Sequence, residues 1–218
     1  TYQLGSLLGN SGYFGIPVAI SLLPIETLNI SIGYDIGAKI FCWSFGYYFI
    51  SYKQSSSKQI PIKQFFLFLI SSPAIRGLIG ASIILMLPWS ESIAYYLWIP
   101  SRVIIILALI IVGVRIGLLF EFNYNNHSFF NYHIFLTIAF KLIILPFFVL
   151  SLTRLWGLSS PTLNPLVLQA ACPTAISLVL LSESNKLDEN TAGLILMWST
   201  LCSLITIPLW SLVLSAFN

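Results

Sequence analysis

Apolar residues run along this chain in blocks of roughly twenty, separated by short polar stretches. Blocks such as Val103–Val114 and Leu142–Leu152 do not alternate apolar with polar positions. The pattern therefore predicts membrane-spanning helices of about 20 residues rather than barrel strands. Seven spans are expected, at Tyr2–Leu23, Tyr34–Tyr52, Gln64–Leu87, Leu97–Leu119, Ile134–Leu155, Leu166–Leu181 and Ala192–Phe217. The clearest hydrophilic break before position 120 is Lys53–Lys63, K-Q-S-S-S-K-Q-I-P-I-K, read as a linker. Pro88–Glu91, Glu121–His133, Trp156–Pro165 and Ser182–Asn190 supply further loops, and the run Asp188–Thr191 suits a helix start.

Two of the blocks are interrupted. Gly9–Pro17, G-N-S-G-Y-F-G-I-P, packs three glycines, an asparagine and a proline into an apolar run. Gln169–Ser177, Q-A-A-C-P-T-A-I-S, interrupts another. Unwound backbone at membrane depth survives only where protein buries it or where it lines a polar cavity. Paired discontinuous helices point to the binding site of a secondary transporter. Free amides at half-helix N-termini would suit an anion. Lone prolines at Pro73, Pro146 and Pro208 read as kinks.

Composition sharpens the class. Of 218 residues 57% are hydrophobic and only 8% charged, with mean hydropathy +0.91. A soluble domain carries about a quarter charged residues, so an integral membrane protein is expected. The net charge of +3 is too small to suggest a nucleic-acid partner. Its distribution suggests orientation: Lys53, Lys58, Lys63, Arg115 and Lys186 fall on one side of the seven-span scheme. That side is then cytoplasmic and the C-terminus lies outside.

Candidate chemistry is sparse. Cys42, Cys172 and Cys202 are isolated and read as small core residues. His127 and His133 have no third ligand at metal-binding spacing, and no nucleophile elbow or phosphate loop occurs. Neither a metal, a cofactor nor an enzymatic activity is expected. Lys141 and Arg76 lie inside spans, where ionisable residues are functional candidates by default. Each either attracts an anionic substrate, serves in proton coupling, or pairs structurally. Asp35 and Lys39, four apart, are placed to pair on one helix face.

G-N-S-G-Y-F-G-I-P-V, A-A-C-P-T-A-I-S-L-V-L-L-S-E and S-T-L-C-S-L-I-T-I-P-L together resemble the bacterial branch of the auxin efflux carrier family of permeases. The resemblance extends to Ser72-Pro73 and to I-V-G-V-R-I-G at the end of the fourth span. It implies an all-α membrane fold of ten helices in two inverted five-helix repeats, with the fourth helix of each repeat broken and the breaks crossing at the substrate site. On that fold residues 1–52 would be the last two helices of repeat one, 53–63 a cytoplasmic linker and 64–218 repeat two, with its broken helix at 166–181. The chain would then be N-terminally incomplete. The implied function is secondary transport of small organic anions such as carboxylates, in the plasma (inner) membrane. A non-transporting remnant and a seven-helix sensor are the alternatives. Substrate contacts would come from Asn10, Gly12, Pro17, Gln169, Pro173, Thr174 and Ser177, the last standing where many family members have Asn. Besides substrate and lipid, a homodimer is an open option.

Overall fold

The computed structural model describes residues 1–42, 70, 73–126 and 131–216. The linker at 53–63, the second half of the expected second span and His127 lie outside the described residues. Among the described residues there is no strand; the elements are helices. They are α1 (Tyr2–Leu7), α2 (Ile16–Leu22), α3 (Leu28–Phe41), α4 (Pro73–Leu85), α5 (Ser90–Asn126), α6 (Tyr132–Ala139), α7 (Leu145–Leu155), α8 (Ser160–Ala170), α9 (Ser177–Ser184) and α10 (Glu189–Ala216). Among the described residues, two helical segments are long and apolar enough to cross a bilayer. Tyr132–Leu155, which joins α6 and α7, has mean hydropathy 2.4, and α10 has 1.8.

Several helix bounds differ from the sequence expectation. Helix α5 begins at Ser90 and runs 37 residues through Pro100, so the loop after Pro88 is shorter and the polar tail to Asn126 stays helical. Helix α8 begins at Ser160, not at 166, and α9 extends the broken span to Ser184. The two prolines that suggested a loop are accommodated differently. Pro161 sits in the first turn, where an amide has no intrahelical partner anyway; Pro165 is carried inside the helix. Helix α10 starts where the acidic run indicated: the Thr191 amide donates to Asp188 Oδ1 at 3.0 Å, an N-cap bond to the third helical residue.

The residues fall into two compact units. One comprises residues 36–111. In it α4 and most of α5 present large apolar side chains outward, among them Ile83, Leu85, Tyr95 and Tyr96, as lipid-facing helices do. Arg102 lies over the Trp98 ring, 4.0 Å from its centroid, a cation–π contact.

The other unit comprises residues 1–35 and 112–218 and contains both interrupted helices. Helix α8 packs on α7, α10 and α2, while α1 packs on α6 and α10. The core joins Leu150, Leu163, Val167, Leu168, Ala171, Ile207 and Leu214, with Phe14, Val18 and Trp210 against it. Gly5 lets α1 approach closely, because a Cβ there would stand 3.1 Å from Ile195 Cγ2 and 3.3 Å from Leu178 Cδ2.

Two π-turns mark this unit, at Ser11–Gly15 and Phe140–Ile144. Each ends two residues before a proline, Pro17 and Pro146. A proline cannot donate to the carbonyl four residues back, and single π-turns concentrate at functional sites. Pro146 thus deprives the Leu142 carbonyl of its usual amide, and Trp210 Nε1 donates to that carbonyl at 2.8 Å.

Candidate functional site at the helix crossing

The first break is confined to Leu8–Asn10; the Ser11–Gly15 π-turn and α2 follow directly. The expected unwinding over Gly9–Pro17 is therefore narrower than its breaker density suggested. Pro17 lies at the start of α2, where its missing amide costs little. The second break spans residues 171–176.

The two breaks meet. Gly9 and Thr174 form an isolated antiparallel bridge. The Asn10 amide donates to the Pro173 carbonyl at 2.7 Å, and the Ala175 amide donates to the Leu8 carbonyl at 3.0 Å. Backbone groups freed by unwinding thus satisfy one another, as they must away from water.

Helix ends leave carbonyls without amide donors, and here side chains serve them. Thr174 Oγ1 donates to the Gly5 carbonyl of α1 at 2.9 Å. Lys141 Nζ donates to the Ala170 carbonyl at the end of α8 at 3.0 Å. The Thr174 amide donates to Ser199 Oγ on α10 at 3.1 Å. On the other side, the Asn10 carbonyl accepts from both Phe14 (3.2 Å) and Gly15 (3.0 Å).

Lys141 is 1% exposed. Its ammonium sits at the C-terminal end of α8, where the helix dipole presents negative charge. Gly9 is shaped to it: a Cβ at Gly9 would stand 2.9 Å from Lys141 Nζ. Asp35, also buried, accepts from Ser11 Oγ at 2.8 Å. Sequence reasoning placed Asp35 only in a helix-face pair with Lys39. Its contact with Ser11 spans 24 residues, beyond any local periodicity.

Of the expected candidates, the crossing brings together Asn10, Pro173, Thr174 and Lys141. Asn10 is buried, and its side chain makes no capping bond to the turn it precedes. Gln169 is fully buried against Gly15 and Cys172; among the described residues its Nε2 has no hydrogen-bond partner. Gly12 is half-buried within the π-turn, and Ser177 is half-buried at the first position of α9. Helix starts leave their first amides free, so the Ser11–Gly12 and Ile176–Ser177 ends both present donors. The Thr174 hydroxyl is already committed to the Gly5 carbonyl, so what it shows is a clasp between the second break and α1. Arg76 belongs to the other unit, exposed, with Nε donating to the Ile70 carbonyl at 3.4 Å.

An uncharacterized transporter of Methanothermobacter thermautotrophicus is 24% identical over 213 residues. The similarity covers 94% of this chain and 65% of that protein, so the chain spans less than two thirds of its relative's length. No solved structure matches the chain. The profile of the family described as "Membrane transport protein" matches residues 2–211. With nearly its whole length accounted for, the chain belongs to this membrane transport family, the auxin efflux carrier family that its interrupted motifs resemble.

Proposed function

We propose that this membrane transporter is a secondary carrier of small organic anions, carboxylates foremost, working by alternating access around the crossing. The observation that carries the reading is the Gly9–Thr174 bridge between two broken helices, beside the buried ammonium of Lys141. The substrate carboxylate is received by the free amides at Ser11–Gly12 and Ile176–Ser177, by the uncommitted carboxamide of Asn10 and by the Ser177 hydroxyl. Gln169 Nε2 offers one further donor. Lys141 supplies the positive field that offsets the anion's loss of hydration. Thr174 and Pro173 hold the backbone in place. The chain crosses the plasma (inner) membrane seven times, with the lysine-bearing loops in the cytoplasm. It carries the last two helices of one repeat and five of its inverted counterpart.

The test is uptake of radiolabelled mono- and dicarboxylates into proteoliposomes. A hydrogen bond to a charged group contributes about 1.5–3 kcal/mol. Replacing Asn10 and Ser177 together by Ala therefore weakens apparent affinity roughly 10-fold or more. Wild-type uptake kinetics in that double variant would remove the crossing from consideration. Saturable binding without accumulation inside the vesicles would instead favour a sensor.

A further inference from the structure

Transporters built on broken helices commonly place a dissociable cation against unwound carbonyls and half-helix C-terminal ends. In this protein that place is taken. Lys141 Nζ bonds the last carbonyl of α8, Ala170, at 3.0 Å. Nζ and the Cys172 carbonyl of the break both face Gly9, standing 2.9 Å and 4.0 Å from the point where its Cβ would be. The ammonium is fully enclosed. The residue opposite is a glycine, whose lack of a side chain leaves the room Nζ occupies. The π-turn at Phe140–Ile144 sets the lysine into this position within an otherwise regular span.

We infer that Lys141 is a tethered cation: it fills the carbonyl-lined position of the crossing permanently, and the carrier needs no sodium or other alkali ion to hold its broken helices together. An ammonium serves such a position well. It has the charge of an alkali ion and three donors for carbonyl acceptors, and it is held by its own stem, so it does not leave with each cycle. Its role is positioning: it acts on the substrate through the backbone it fixes and through its charge. Truncating it to a short polar side chain would leave a carbonyl-lined hole of the kind a small cation occupies.

The experiment compares the protein in nanodiscs in sodium, lithium, potassium or choline chloride at equal ionic strength. Wild-type thermal stability is expected to be the same in all four salts. Lys141→Ser is expected to melt lower in choline and to be rescued by one of the alkali ions. Rescue amounts to roughly 5–10 °C at a hundredfold excess over Kd, from ligand linkage and the usual conversion to Tm. An alkali-dependent rise in wild-type Tm overturns the assignment, as does a folded Lys141→Ser that ignores all three ions. Should Lys141→Ser fold in no salt, Lys141→Gln keeps a donor for the Ala170 carbonyl without the charge. A folded Lys141→Gln with wild-type stability and no response to cations overturns the assignment; a destabilised one, restored by Lys141→Arg, supports it. Carboxylate uptake in the same four salts is the one arm that rests on the proposed function, and it is expected to be insensitive to the cation. Absence of uptake with the stability pattern intact would refute carboxylate transport and leave the tethered cation standing.

Discussion

Gly15 is the position where the crossing tolerates least. It closes the π-turn that follows the first break, and α8 lies directly against it. A Cβ at Gly15 would stand 2.6 Å from Cys172 Sγ and 2.9 Å from Gln169 Cδ, with Gln169 Oε1 closer still. Both neighbours are fully buried, so neither can swing into open space. Relieving the overlap means moving α8 or turning Gln169 off its rotamer. Overpacking of this kind costs about 1–3 kcal/mol, against a gain of up to about 1 kcal/mol from the better helix propensity of Ala. Gly15→Ala is therefore expected to lose about 1–2 kcal/mol net, or roughly 2–8 °C of Tm in a chain of this size. Thermal unfolding in nanodiscs measures it. The cause is checked by combining Gly15→Ala with Gln169→Ala and Cys172→Ala. Neighbours that clash should couple by about 0.5–3 kcal/mol, so the triple variant is more stable than the sum of its parts. Strictly additive losses, or a Gly15→Ala protein as stable as wild type, would refute the close approach.

Three further outcomes follow from the same contacts. Thr174→Val keeps the shape but leaves the Gly5 carbonyl without its donor; a loss of about 1–3 kcal/mol is expected, with Thr174→Ser retaining most of the stability in the same melting assay. Trp210→Phe removes the indole donor from the Leu142 carbonyl that Pro146 leaves unserved, for a similar loss; adding Pro146→Ala returns an amide to that carbonyl and should make the indole dispensable. Asp188→Ala removes the N-cap of α10 at a cost of about 1 kcal/mol. The Asp188 carboxyl is partly desolvated, which raises its pKa, but hydrogen bonds from Thr191 and the Asn190 amide, with the N-terminal charge, together outweigh that and hold it below the ordinary 3.8. A depressed folded-state pKa contributes stability that is present above the unfolded value and lost as pH falls through the folded one. The ionised cap's advantage over Asp188→Asn should therefore hold at neutral pH, start to fall near the ordinary 3.8 and vanish only below the lower folded-state value, as followed by melting across a pH series.

The breaks were legible because their causes are local. Gly9, Asn10 and Pro173 disfavour a continuous helix wherever they stand, and an apolar frame makes the disfavour conspicuous. What was not legible is how far each break runs. The stretch from Ser11 to Pro17 looked unwound but is helical, because Pro17 falls where a helix start accepts proline and a π-turn absorbs the slack before it. The same tolerance hid the beginning of α8, where Pro161 reads as loop and serves as helix start. Lys141 stood out as an ionisable residue in a span, but its partner, the Ala170 carbonyl, lies 29 residues away and carries no side-chain signature. Asp35 was seen as half of a local pair; its bond to Ser11 depends on how α3 folds back against the break.

That fold-back has a counterpart. Ser11 in the turn after the first break bonds Asp35, 24 residues on; Thr174 in the second break bonds Ser199, 25 residues on. Each break is thus secured by the second helix after it along the chain, α3 for the first and α10 for the second. By contrast, the Gly9–Thr174 bridge joins positions 165 residues apart. Loop closure grows as the logarithm of length, so the bridge costs about 1.7 kcal/mol more to close than either short contact. The order of assembly follows from this: each half is shaped as a hairpin of neighbouring helices while the chain is being made, and the crossing is the seam at which two finished hairpins join. A lesion at Asp35 or Ser199 spoils one half before it meets the other, whereas a lesion at Gly9 leaves two sound halves that fail to join.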